Sequence, residues 1–289
     1  MRAEESTSGP AVLAVSSEPA GAKVFVNGYY KSRTPANVTI ESATATPREY
    51  TLTLLLSGYA KWQRAYSLVA GERREVAARL DKLPGAIICL DPGHPSETSA
   101  GCKGSTGVTE NHLNWVIALK LRDALTARGH QVVLTKSSEG EMVTNRRRAE
   151  IANGAGAACM LRLHCDAASA SGLAVYYPDR QGTKYGVTGP GRDVIQASGA
   201  FAQGFYPAAM AVLSGQHKGR GVHGDSGTYI GSQQGALTGS IFAKIPVLTV
   251  EMCVLTNRTD EAFITGARGQ ELMVKALVAG VEAGLARLR

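Results

Sequence analysis

Residues 86–97, AIICLDPGHPSE, decide how the second half of the chain is read. Six residues, AIICLD, are a short apolar run of buried-strand type. They stop at Asp91-Pro92-Gly93-His94, residues that end a strand and expose a side chain. Working outward, strand and helix patterns alternate. Residues 111–128 place Leu113, Val116, Ile117, Leu121, Ala124 and Leu125 at helical spacing, and Gly129 stops the helix. HQVVLT reads as a strand, VTNRRRAEIANGAG as a helix, and ACMLRLH and LAVYYP as strands. Residues 194–213 read as a helix, PVLTVEM as a strand, and 262–288 as one long closing helix. This order predicts an α/β unit, a mostly parallel twisted sheet flanked by helices. The Gly-rich stretches 179–193 and 214–240 are predicted loops of the kind that line a substrate groove.

Before DKLPGA, residues 81–86, the period is two. AVLAVSS, AKVFVNG, NVTIES, EYTLTLLLSGY, RAYSLVAG and EVAARL are short strand patterns separated by EPAG, NG, TPA and SGY. They predict a small antiparallel all-β sandwich. The organisation is therefore a flexible leader (1–10), a β-sandwich (11–80), a linker (81–85) and an α/β unit (86–289).

Composition narrows the classes. The 289 residues are 44% hydrophobic and 19% charged, ordinary for a globular protein, with net charge +7. No run of about 18 apolar residues exists, so no membrane span is expected. Residues 1–10 are polar and contain no signal-peptide pattern. Neither a nucleic-acid-binding motif nor a long basic block is present. The densest cluster, Arg146-Arg147-Arg148, reads as a solvated helix face with one packing arginine. Five cysteines without a C-x-x-C pair argue against a zinc ribbon or a disulfide framework.

Ionisable residues sit where apolar ones are expected. His94 follows ICLD, His164 ends CMLRL, and Glu251 lies inside VLTVEM, where an unpartnered carboxylate costs several kcal/mol. Glu110 opens the first helix on the side of the His94 loop. Two histidines and one carboxylate suit a catalytic zinc ion with an open fourth position, and the remaining carboxylate suits a general base. His223, in GRGVHGD, and Arg162 are candidate groove residues; His217 is a weaker one, and His112 and His130 point elsewhere. Arg162 either brings positive charge to the site or lies on the other face of the sheet with a partner. Cys165 is expected to face away from the metal set and Cys253 to share the side of Glu251. A cysteine nucleophile is the rival chemistry, made unnecessary by the metal set. Cys102 is expected in an exposed, oxidisable position.

The motifs ICLDPGHP, GVTEN, VVLTK, RAEIAN, RLHCDAA and PVLTVEMCVLTN, over residues 86–288, resemble the zinc-dependent N-acetylmuramoyl-L-alanine amidases of the Amidase_3 type. The resemblance implies Zn²⁺ on His94, Glu110 and His164, with Glu251 as catalytic acid/base and Arg148 and Asn153 as structural residues. It implies hydrolysis of the amide between N-acetylmuramic acid and L-alanine of peptidoglycan. The rival readings are a non-catalytic or partner-activated peptidoglycan-binding protein of the same fold, and a zinc peptidase acting on another amide. Pro95, Arg162-Leu163, Cys165-Asp166 and VLTN depart from the family's usual residues without removing a ligand. Some relatives carry a helical insert that plugs the site through a carboxylate. Between 173 and 247 the only carboxylates are Asp179, Asp193 and Asp225, so no such plug is expected. SSEPAGAKVFVNGYYKSRTPANVTI, with the later SGY, resembles a PEGA domain, a non-catalytic accessory module whose ligand the resemblance leaves open. Tyr29, Tyr30, Tyr59 and Trp62 form either a contact patch or the cover of its core. The expected setting is extracytoplasmic, with peptidoglycan as partner, no nucleic acid, and a monomer.

Overall fold

Alternation of inward apolar and outward polar side chains builds the first of two units, Met1–Pro84 and Gly85–Arg289. The computed structural model describes residues 9–56, 59–81 and 85–288; most of the expected leader, the Ser57-Gly58 turn and most of the linker fall outside these. Among the described residues the first unit has seven strands: β1 (Ala11–Glu18), β2 (Lys23–Val26), β3 (Tyr29–Arg33), β4 (Ala36–Ile40), β5 (Arg48–Leu55), β6 (Trp62–Leu68) and β7 (Arg73–Arg79). They form two sheets, β4-β1-β7 and β3-β2-β5-β6. Leu13, Val15, Val24, Val26, Leu52, Leu54 and Val76 meet in the core. The Asn27-Gly28 turn has both φ values positive, 49° and 83°, as a tight hairpin requires. Two features differ from the sequence reading. YYKSR is a strand, although its exposed surface gives it no apolar alternation. β1 pairs with β7 in parallel, so the sandwich is not wholly antiparallel.

The second unit contains β8 (Ile87–Pro92), α1 (Glu110–Thr126), β9 (Gln131–Leu134), α2 (Asn145–Gly154), β10 (Cys159–Asp166) and β11 (Leu173–Tyr177). A hairpin, β12 (Gly182–Lys184) and β13 (Val187–Gly189), precedes α3 (Arg192–Leu213) and β14 (Gly219–Gly224). Then come α4 (Tyr229–Gln234), α5 (Thr238–Ile241), β15 (Val247–Val254), α6 (Arg258–Thr265) and α7 (Ala267–Leu285). Six strands form one sheet in the order β14-β11-β15-β10-β8-β9. All neighbours are parallel except β11 and β15, so β11 and β14 run opposite to the other four.

Three corrections to the sequence reading concern this unit. The segment 214–240 is not a plain loop but holds β14, a 3-10 turn (Asp225–Gly227), α4 and α5, pieces too short for periodicity to reveal. The segment 179–193 holds the β12–β13 hairpin. The closing helix is two helices, because Gly266 breaks it in extended conformation, φ −75° and ψ 139°.

The register of the three central strands places the site. Ile88, Leu90, Leu161, Leu163, Leu248 and Val250 point to one face and join the main core. The opposite face is layered by cross-strand pairing. Cys89, Met160 and Val247 form an apolar row; Asp91, Arg162 and Thr249 form the next; His164 and Glu251 lie beyond them. One strand period of two thus carries each chain segment from packing to polar wall to candidate chemistry.

Candidate metal centre and active-site cleft

β8 delivers His94 through a bend that the sequence is built to permit. Gly93 donates its N–H to Leu163 O at 2.9 Å, and a Cβ at Gly93 would lie 2.3 Å from Cε1 of His164, so only glycine fits. His94 itself has φ +65°, a left-handed conformation costing an L-residue about 1–2 kcal/mol. Surrounding bonds hold it there. Arg148 donates to Pro92 O at 2.8 Å and Pro95 O at 2.9 Å, and Lys136 donates to His94 O at 2.5 Å. The Nδ1–H of His94 donates to Ser99 O at 3.2 Å, leaving Nε2 as the lone-pair nitrogen, 3.2 Å from Glu110 Oε1.

Glu110 is the first residue of α1, next to the N-cap Thr109, whose hydroxyl accepts from His112 N. Its side chain is 6% exposed. It accepts from Cys102 N at 3.0 Å and Cys165 N at 3.2 Å, and lies 3.0 Å from His164 Nδ1. Burial opposes its ionisation, but the hydrogen bonds and charges of His164 and His94 prevail and hold it well below the usual carboxylate range. Burial pushes the His164 imidazole down, toward the neutral form. One donor atom each from His94, Glu110 and His164 lies within 4.8 Å of the others. An ionised carboxylate and two imidazoles with lone pairs available are the donor set a zinc ion takes. His164 Nε2 is moreover buried without a hydrogen-bond partner among the described residues, the signature of a ligand atom whose partner is not protein.

Beneath this triad lies a charge cluster. Asp91 is fully buried and accepts from Thr135 Oγ1 at 2.5 Å, Arg148 NH1 at 2.5 Å and Arg162 Nε at 3.0 Å. Burial would raise its pKa, but the two guanidinium groups keep it well below the ordinary value. Arg162 also donates to Asn145 Oδ1 at 2.5 Å. It therefore lines the cleft as a positive wall. The alternative that it lies on the other face of the sheet does not hold, because it has the same parity along β10 as His164, although it does have the partner that reading gave it.

Glu251 pairs in register with His164 on the adjacent strand. Its Oε2 is buried without a hydrogen-bond partner among the described residues. Burial, reinforced by the negative charges of Glu110 and Asp166, pushes its pKa well above the usual range. A cavity of about 360 Å³ opens over this face and is lined by His94, His164, Glu251, Thr249, Arg162 and Lys184, with Ile230, Leu237 and Thr238 on the far wall.

His223 stands apart from that lining. Its Nε2 lies 2.8 Å from Arg220 O and its ring lies against Tyr176 at 5.4 Å, on a strand two positions away from β15. His112 pairs with Glu139, His130 Nδ1 accepts from Ala86 N, and His217 stacks on Phe263. Cys165 and Cys253 are both buried in the main core, so the expectation that Cys253 shares the side of Glu251 does not hold. The register shift between His164 and Asp166 breaks the alternation that it relied on. Cys102 is half-buried, not exposed; burial and the nearby Glu110 push its thiol up to about 12.

Sequence reasoning passed over Asp91, Thr249 and Lys136. Thr249 carried a readable signal: it is a polar residue two positions from Glu251, on the same strand face. Asp91, three positions before His94, read only as a strand end. Lys136 carried none, because its bonds to His94 O, Asn111 Oδ1 and Glu139 O come together only in the fold.

Comparison with known proteins adds an independent observation. The sequence pattern described as N-acetylmuramoyl-L-alanine amidase matches residues 88–283, and that of the PEGA domain matches residues 11–84. The N-acetylmuramoyl-L-alanine amidase Rv3717 of Mycobacterium tuberculosis is 26% identical over 224 residues, covering 71% of this chain and 88% of its own. Among solved structures, the amidase Ami1 of Mycobacterium smegmatis superposes with a TM-score of 0.59 at 20% identity, over 70% of this chain and 97% of its own. An N-acetylmuramoyl-L-alanine amidase of Clostridium difficile 630 gives 0.56 at 21% identity, over 69% and 96%. At these identities the solved structures speak for a shared fold.

Proposed function

Because the chain belongs to the N-acetylmuramoyl-L-alanine amidase family, we propose that it hydrolyses the amide joining the lactyl group of N-acetylmuramic acid to L-alanine in peptidoglycan. In this reading His94, Glu110 and His164 hold a zinc ion, and Glu251 is the general base and acid. The observation that carries it is the meeting of the three donor atoms within 4.8 Å, with Glu251 paired in register beside His164. Zinc, when bound there, supplies a Lewis acid that polarises the scissile carbonyl and acidifies water.

The residues divide the remaining work. Glu251 accepts the proton of the attacking water and returns it to the nitrogen of L-alanine as the C–N bond breaks. Its buried oxygen is suited to both transfers, because among the described residues no donor competes for it. Ser99 O fixes the tautomer of His94. The Asp91 cluster keeps the strand ends from which His94 and His164 project in register. In 173–247 none of Asp179, Asp193 and Asp225 lines the cavity, which supports an enzyme active without a partner. Peptidoglycan as substrate places the protein outside the cytoplasmic membrane; among the described residues no helix is long and apolar enough to cross one.

The test is digestion of purified peptidoglycan by the wild type and by Glu251→Ala, with and without chelator, read by mass spectrometry. Free stem peptides beginning with L-alanine, lost on chelation and in the variant, are the expected products. Zinc bound stoichiometrically with no cleavage would refute the assignment.

A further inference from the structure

The N-terminal unit carries a surface that the catalytic reading does not use. Tyr59 and Trp62 pack against its core, but Tyr29 and Tyr30 on the edge strand β3 are 74% and 56% exposed. Strand pairing arranges the outward face of the four-stranded sheet in rows. Tyr30, Phe25, Thr53 and Gln63 lie side by side across four strands, and Tyr30 meets Phe25 edge-on at 5.7 Å. In the adjacent row stand Arg33, Lys23 and Leu55, the last 40% exposed. Lys31 occupies the bulge between the rows.

None of Lys23, Lys31 and Arg33 is in an ion pair among the described residues. Across β2, β3, β5 and β6 the cations are Lys23, Lys31, Arg33, Arg48 and Arg64, and the one carboxylate is Glu49. Glu49 lies four residues from Thr53 along β5, roughly 13 Å from the aromatic row. Charged residues commonly guard an exposed edge strand. That accounts for Lys31 and Arg33 but not for Lys23, which lies on the inner strand β2.

We infer that this face is a binding site for peptidoglycan strands, with Tyr30 and Phe25 receiving the apolar face of a sugar ring and Lys23 and Arg33 receiving stem-peptide carboxylates. The choice of occupant rests on the proposed amidase function and on charge. In the intact polymer the lactyl carboxyl of the sugar is consumed in the amide, so the sugars offer neutral faces and the peptides supply the anions. An exposed tyrosine with a phenylalanine edge-on to it, beside cations in no ion pair among the described residues, is complementary to both parts. The module then keeps the enzyme on an insoluble substrate, raising the local concentration of cleavable bonds.

The test is co-sedimentation of the full chain with purified insoluble peptidoglycan in the presence of chelator, so that binding is read without cleavage. The variant Lys23→Gln/Tyr30→Ser/Arg33→Gln is expected to leave about tenfold less protein in the pellet. Its zinc-dependent turnover of a soluble disaccharide-peptide is expected to match the wild type. The single variant Lys23→Glu, at an exposed side chain, gives the same direction without touching the aromatic row. Amidating the peptide carboxyls of the polymer is expected to reduce wild-type binding. Variants that sediment like the wild type overturn the inference and leave the face to an acidic protein surface instead. Failure of the amidase reading appears separately, as absent turnover of the soluble fragment by the zinc-loaded wild type.

Discussion

Replacing Asp91 by alanine isolates the charge cluster on which the cleft rests. Asp91 is 0% exposed, and the guanidinium groups of Arg148 and Arg162 beside it are themselves buried. Removing the carboxylate leaves two largely buried cations without a counter-charge. Breaking a buried pair in this way costs about 3–5 kcal/mol. For a unit of this size each kcal/mol moves Tm by about 2–4 °C, so the expected fall is on the order of 6–20 °C. Differential scanning calorimetry of the full chain reads it, with the transition of the α/β unit followed apart from that of the β-sandwich. Because the folded-state pKa of Asp91 is depressed, its contribution is fully present above the unfolded value, near 3.9, and is lost as pH falls below it. The gap between wild type and variant therefore narrows in acid. A fall of less than about 3 °C at neutral pH, or a gap that does not change in acid, would refute the reasoning.

Other outcomes follow from the same geometry. Glu251→Gln is expected to lower kcat by about 10²–10⁴ while zinc content, measured by elemental analysis, stays at the wild-type level. Arg148→Lys loses the two-pronged hold on Pro92 O and Pro95 O around His94; zinc affinity by competitive chelation is expected to fall about 10–100-fold. Asp225 is 1% exposed, its Oδ1 has no hydrogen-bond partner among the described residues, and burial raises its pKa to about 6. The wild type therefore loses stability as pH rises from about 4 to 6, and Asp225→Asn is expected to remove that slope in a urea-unfolding series. In the metal-free protein Cys102, its thiol at about 12, is expected to resist thiol-specific reagents at pH 8 until the protein unfolds.

The parts of the molecule legible in the sequence are those where one residue stands out against a strong local period. His94, His164 and Glu251 interrupt apolar strands, and Glu110 sits at a helix start, so each was visible singly, and the fold shows that His94, Glu110 and His164 converge. The α1 helix was equally readable, with Leu113, Ile117, Leu121 and Leu125 all buried at helical spacing. What was not legible depends on pairing across the chain. The reversal of β11 relative to β15 leaves no local mark, because LAVYY reads alike in either direction. The short α4 and α5 give too few residues for a period to register. Asp91 read as a strand terminator, and Lys136 stood in VVLTK with no role read for it; only the third dimension brings Lys136 to His94 O and two arginines to Asp91.

The reversal of β11 and β14 has one more effect. Strands β10 and β15 carry His164 and Glu251 near their carboxyl ends, whereas β11 and β14 finish beside the start of β15, with Tyr176 opposite Thr249. The segments that follow them, which hold Lys184 and Ile230 through Thr238, therefore set out from the far end of the sheet and reach the cleft by crossing its open face. The cleft's outer wall and its donor atoms hang from opposite ends of the same scaffold. Either can be lengthened, shortened or exchanged while the other keeps its anchorage, which makes substrate fit and bond-breaking chemistry separable objects for engineering and for evolutionary drift.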